Sequence, residues 1–139
     1  MDKRLGLIGL GNMGSMILEQ LLNFNIIRES EVYISNRSME KLEDFKEKHN
    51  SVNICRSNAE VAENCRDIMI CVEPVNVPSV LLEIKPFLYR DSYLMISTAT
   101  VAYEDIYKIY KGKITKFMPT LNSTVRGGVT LVCNNDLVE

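Results

Sequence analysis

A chain of 139 residues fits one domain, large enough to bury a core without disulfides or structural metal. With 46% hydrophobic and 24% charged residues it is globular rather than disordered, and a net charge of −2 leaves no long basic stripe for a nucleic-acid backbone. No apolar run is long enough for a membrane helix, and Lys3 and Arg4 precede a short apolar run that lacks a cleavage pattern, so a cytoplasmic protein is expected.

The first element is an apolar strand at residues 5–8, which opens into Gly9-Leu10-Gly11-Asn12-Met13-Gly14. Strand, G-x-G-x-x-G and helix in that order form the layout of a dinucleotide pyrophosphate site. Gly9 permits the tight turn, Gly11 lets the backbone approach the phosphates, and Gly14 lets the helix pack against the first strand. The phosphates then face a helix N-terminus, whose free N–H groups and dipole favour an anion. Met13, Met16, Ile17, Leu21 and Phe24 recur at helical spacing and read as the apolar stripe of that helix.

Residues 31–35 (EVYIS) read as a second strand, and Ser38 begins a charged helix with Met39, Leu42 and Phe45 on its buried side. A third strand is expected at 52–54. Ser57 followed by Glu60 resembles a capping box, opening a short helix through Val61 and Ala62. Residues 67–72 (DIMICV) are apolar after the first, as in a central parallel strand covered on both faces.

Pro74 ends that strand, and Val77, Val80, Leu81, Ile84 and Leu88 mark a helix as far as residue 88. A strand at 93–97 follows, then a helix whose stripe of Tyr103, Ile106, Tyr107 and Tyr110 reads as packing surface. Strands at 113–118 and 129–133, separated by a loop at 119–128, complete the chain. This alternation predicts an α/β fold, Rossmann-like and doubly wound, with a mainly parallel sheet and helices on both faces.

The end of the second strand selects the dinucleotide. An NAD site places a carboxylate there for the ribose 2′-hydroxyl, whereas this chain has Ser35-Asn36-Arg37-Ser38. Arg37 offers a planar fork to a 2′-phosphate and the serine hydroxyls can donate to it, so NADP(H) is expected in preference to NAD(H). The alternative is that Arg37 is a solvated charge and Ser38 only a helix cap. Cys55, Cys65, Cys71 and Cys133 sit in or beside apolar segments without C-x-x-C spacing and read as reduced, structural thiols. The single histidine, His49, gives a metal site almost nothing to build on, and no metal is expected.

Several motifs in order then resemble one family. IGLGNMGSMI at 8–17, VYISNRS at 32–38, SNAEVAE at 57–63, CVEP at 71–74 and KFMP at 116–119 are similar to the N-terminal, coenzyme-binding domain of pyrroline-5-carboxylate reductase. The resemblance implies that Ile8, Gly9, Leu10, Gly11, Asn12 and Met13 bind pyrophosphate and that Ser35, Asn36 and Arg37 hold the 2′-phosphate. Asn58 is implied near the adenosine end. Cys71, Val72, Glu73 and Pro74, together with Ser97, Thr98 and Ala99, are implied on the nicotinamide side. It further implies NADPH-dependent reduction of 1-pyrroline-5-carboxylate, or a related cyclic imine, to proline.

The chain departs from the family at three places. Glu73 replaces a lysine, Ser97-Thr98-Ala99-Thr100-Val101 lacks the family's glycine, and Met118-Pro119-Thr120-Leu121-Asn122 replaces M-P-N-x-P. That pattern also fits a non-catalytic, NADP(H)-binding regulatory paralogue, such as the late-competence proteins of some Gram-positive bacteria. A hydroxyacid dehydrogenase of the β-decarboxylating type, which shares the GLGNMG turn, is a third reading. Family members carry a helical second domain that forms the dimer and supplies the substrate site. Residues 1–139 are therefore expected to be a coenzyme-binding domain separated from it, with a natural short form as the alternative. No catalytic residue is assigned: Tyr93 and Tyr103 read as packing, and Glu73 as a solvated loop charge.

Overall fold

The computed structural model describes residues 3–119, 130–135, 137 and 138. One sheet carries the strands β1 (Leu5–Ile8), β2 (Val32–Ser35), β3 (Asn53–Ile54), β4 (Asp67–Ile70), β5 (Tyr93–Ser97), β6 (Lys113–Pro119) and β7 (Thr130–Asn134). Their spatial order is β3-β2-β1-β4-β5-β6-β7. β1 to β6 run parallel, with Leu7 opposite Ile34 on one side and Met69 on the other, and β7 closes the edge antiparallel to β6. The order reverses at β1, so a crevice opens between the carboxyl ends of β1 and β4.

The helices are α1 (Asn12–Asn23), α2 (Met39–Lys48), α3 (Asn58–Asn64), α4 (Val77–Ile84) and α5 (Tyr103–Tyr107). Alternation along the strands sorts the core into two layers. Leu7, Val32 and Ile34 face one way and pack with Leu18, Leu42, Phe45 and Val52 from the α1 and α2 side. Ile8, Ile68, Ile70, Leu94, Ile96 and Ile114 face the other way, against Val61, Leu81, Ile84 and Ile106 of α3, α4 and α5. Helices therefore cover both faces, as expected for a doubly wound fold.

Several local expectations are corrected. The stripe assigned to α1 is only half-buried, and the residues that reach the sheet are Gly14 and Leu18. The absent side chain at Gly14 brings that side of the helix against the turn, which sets its rotation. Met39 is 44% exposed rather than buried, being in the first turn of α2, ahead of the part where Leu42 and Phe45 meet the core. Ser38 occupies the N-cap position of α2 but makes no side-chain cap hydrogen bond.

The helix expected to reach residue 88 stops at Ile84, and Lys85–Phe87 form a single 3-10 turn. Pro86 lacks the N–H that a continuing helix requires. The final helix is likewise one short turn, and Tyr110 lies beyond it, its hydroxyl donating to the Ser92 carbonyl at 2.7 Å. β4 ends at Ile70, two residues earlier than expected, because Cys71 and Val72 enter the crevice loop. The loop expected at 119–128 lies outside the described residues from 120 onward.

Candidate functional site

The site begins at the glycine turn. Gly9 has φ +97°, a conformation L side chains rarely adopt, and a Cβ there would lie 2.3 Å from the Cys71 carbonyl oxygen. Its N–H donates to the Ser35 carbonyl at 3.0 Å, while the Cys71 N–H donates to the Ile8 carbonyl at 2.8 Å. The turn is thus wedged between the ends of β2 and β4. A Cβ at Gly14 would lie 2.1 Å from the Gly9 carbonyl oxygen, so the first turn of α1 folds directly onto the loop that precedes it.

Gly11 differs from both. Nothing lies within 4 Å of a Cβ placed there, and its backbone is extended. Asn12, Met13 and Gly14 precede the first intrahelical bond at this end, from Ser15 N–H to the Gly11 carbonyl at 2.9 Å, so their N–H groups have no intrahelical acceptor. The space beside Gly11 is the place where backbone donors and the positive end of a helix dipole can meet an anion.

The loop after β2 is tied to this turn. Leu10 N–H donates to Asn36 Oδ1 at 2.9 Å, and Asn36 Nδ2 donates to the Ser38 carbonyl at 3.2 Å. Asn36 therefore splints the glycine turn to the start of α2. Ser35 is buried, and its hydroxyl donates to Asn58 Oδ1 at 2.7 Å. Asn58 Nδ2 in turn donates to Glu83 Oε2 at 2.9 Å, which links β2, α3 and α4 in one chain of bonds. The capping expectation at α3 holds for Ser57, whose Oγ accepts from Glu60 N–H at 3.1 Å. Glu60 reaches one residue further back than a capping box, taking the Arg56 N–H at 2.7 Å.

These loops enclose a crevice of about 520 Å³ at the switch point of the sheet. Of the residues expected at a site, Ile8, Gly9, Gly11, Ser35, Asn36, Arg37, Asn58, Cys71, Val72 and Glu73 line it. Leu10 and Asn12 instead border a smaller recess of about 230 Å³ between α1 and α2. Met13, Gly14, Ser38 and Pro74 flank the crevice in sequence without lining it. Ser97 ends β5 and Thr98 and Ala99 follow it outside the crevice, with Thr98 Oγ1 accepting from the N–H groups of Thr100 and Val101 at 3.3 Å.

Sequence reasoning missed Arg56, Ser57, Asn76, Ser79, Val80 and Glu83 as crevice residues. Arg56 had a legible signal: it stands two residues after the end of β3, as Arg37 stands two residues after the end of β2. The α4 residues had none, because their place depends on how that helix returns across the sheet. No group of three or more potential metal ligands is assembled among the described residues. No helix among them is long and apolar enough to cross a membrane.

Cys55, Cys65 and Cys71 are free thiols, as expected, and the side chain of Cys133 lies outside the described residues. Burial pushes the Cys71 thiol up to about 12, and burial, then the nearby Glu60 carboxylate, does the same for Cys55. Cys71 therefore presents a neutral, unreactive surface to the crevice at neutral pH.

Residues 4–138 match the family described as the NAD binding domain of 6-phosphogluconate dehydrogenase. The chain is 29% identical over 129 residues to ComE operon protein 4 of Bacillus subtilis, covering 93% of this chain and 47% of that protein. A pyrroline-5-carboxylate reductase structure from Coxiella burnetii superposes with a TM-score of 0.90 at 29% identity, over 100% of this chain and 52% of that one. The pyrroline carboxylate reductase of Plasmodium falciparum, solved with NADP bound, superposes with a TM-score of 0.83 at 29% identity, over 100% and 51%. The chain thus spans about half the length of these relatives.

Proposed function

We propose that this chain, which belongs to the family of the NAD binding domain of 6-phosphogluconate dehydrogenase, is the NADP(H)-binding domain of an oxidoreductase that reduces 1-pyrroline-5-carboxylate or a related cyclic imine. One observation carries the reading: the open backbone at Gly11 and the Arg37 side chain line the same cavity. A pyrophosphate fits the first and a 2′-phosphate the second, and no acid follows β2 to repel it. The NADP bound in the Plasmodium falciparum relative supports the choice of coenzyme.

In this reading the amides at the start of α1 hold the pyrophosphate, and Arg37 holds the 2′-phosphate. Asn36 fixes the distance between the two, since it bonds the turn and the loop after β2. Asn58 and Glu83 border the adenosine end, while Cys71, Val72 and Glu73 border the nicotinamide side. When bound, the coenzyme supplies the hydride that reduces the C=N bond. The chain's own part is to bind it, orient its ring and keep water from it. The substrate pocket and dimer contacts belong in this reading to a separate helical domain, and the protein works in the cytoplasm.

A second reading, a regulatory NADP(H)-binding paralogue, is favoured by Glu73, an exposed acid on the nicotinamide side of the crevice where the reductases carry a lysine. Turnover separates them. The full-length gene product is expected to oxidise NADPH in the presence of 1-pyrroline-5-carboxylate; tight NADPH binding with no turnover would replace the first reading by the second. If neither coenzyme binds, both readings fall.

A further inference from the structure

We propose that Arg56 is a second guanidinium for the 2′-phosphate, closing on it from the β3 side while Arg37 holds it from the β2 side. The proposal rests on the coenzyme reading above and adds a specificity residue to it. β2 and β3 are parallel neighbours, with Ile34 opposite Ile54, and each arginine stands two residues past the end of its strand. Adjacent strands lie about 4.8 Å apart. By that register Arg56 falls level with Asn36, one residue short of Arg37, and two long side chains leaving adjacent strand ends at that offset can reach one anion between them.

Both arginines line the crevice, and neither guanidinium has a hydrogen-bond or ion-pair partner among the described residues. The acids in the same crevice are placed differently. Glu83 accepts from the Asn58 amide, and Glu73 stands in the loop after β4. Two guanidinium groups that line one cavity with no hydrogen-bonded or ion-paired acid are an arrangement that a doubly charged phosphate monoester satisfies, because each planar fork can bond two of its oxygens.

The loop is also fixed independently of the guanidinium. Arg56 N–H is held by the Glu60 carboxylate at 2.7 Å, and Ser57 caps α3, so the Arg56 side chain is presented from a braced backbone. Substituting the side chain leaves both of those bonds in place. An effect on affinity then reports on the charge rather than on the fold.

The test is titration of the chain with NADPH and with NADH, for the unaltered protein, Arg56→Gln, Arg56→Lys and Arg90→Gln. Arg90 is exposed and outside the crevice, so its substitution removes the same charge elsewhere. Arg56→Gln is expected to weaken NADPH about tenfold or more and NADH less than about twofold. Arg56→Lys should recover part of the loss, and Arg90→Gln should alter neither. An unchanged NADPH to NADH ratio in Arg56→Gln, or an equal loss for both, overturns the assignment while leaving the coenzyme reading intact. Failure of the unaltered chain to bind either dinucleotide overturns both.

Discussion

Replacing Gly9 and Gly11 separately by alanine should separate folding from binding, because the two glycines meet different surroundings. Gly9 sits at φ +97°, and its new Cβ would lie 2.3 Å from the Cys71 carbonyl oxygen and 2.8 Å from the carbonyl carbon. The backbone conformation costs about 1–2 kcal/mol for an L side chain. Relieving the overlap with the end of β4 costs about 1–3 kcal/mol more. A total of about 2–5 kcal/mol should lower Tm by on the order of 10 °C in a domain of this size. Gly11 has an ordinary φ of −81° and nothing within 4 Å, so alanine costs only what a poorer N-cap costs, about 0.5–1 kcal/mol. Its methyl group would nevertheless fill the open space proposed above for the pyrophosphate. Thermal unfolding by circular dichroism and NADPH titration by fluorescence read the two effects. Gly11→Ala should keep most of its stability and lose NADPH affinity by at least about tenfold, equivalent to about 1.4 kcal/mol. If Gly11→Ala binds NADPH as the unaltered chain does, the phosphate cradle is elsewhere and the argument from the turn is wrong.

Other predictions address the remaining parts of the site and core. Arg37→Asp should weaken NADPH about a hundredfold while changing NADH by a small factor, measured by parallel titrations; equal losses would remove Arg37 from the 2′-phosphate site. Leu18→Ala, at a residue 1% exposed against the sheet, should cost about 2–5 kcal/mol in urea unfolding, whereas Met13→Ala on the same helix should cost much less. Asn58→Ala removes the acceptor of the buried Ser35 hydroxyl and should cost about 1–3 kcal/mol, with Ser35→Ala in the same background recovering part of it. The thiols predict an alkaline dependence. Folded Cys55 and Cys71 stay protonated up to about 12, against an ordinary 9.0, so the unfolded chain releases protons first as pH rises. Stability from these groups is fully present below pH 9 and declines between about 9 and 12, which equilibrium unfolding at several pH values would register. Substituting both thiols by serine should flatten that decline.

Much of this molecule could be read from the chain because its signals are local. Alternating apolar strands and helices, the glycine turn, the Ser57 cap and the basic end of β2 all depend on residues close in sequence, and each took its expected place in the fold. The stripe of α1 was misread for the opposite reason. Periodicity places Met13, Met16 and Ile17 on a common side, but the rotation of the helix is set by Gly14 against the Gly9 carbonyl, a contact made only after the turn closes. The crevice followed the same division. Gly11 and Arg37 were legible as candidate crevice residues from type and spacing, whereas Arg56 and Glu83 join them only because β3 lies beside β2 and α4 packs against α3. Sequence determined the Rossmann-like architecture with its glycine turn and the basic loop after β2, since those arise from a few consecutive residues. Tertiary structure decided which distant side chains share the cavity, because strand order and helix rotation depend on packing the whole sheet at once.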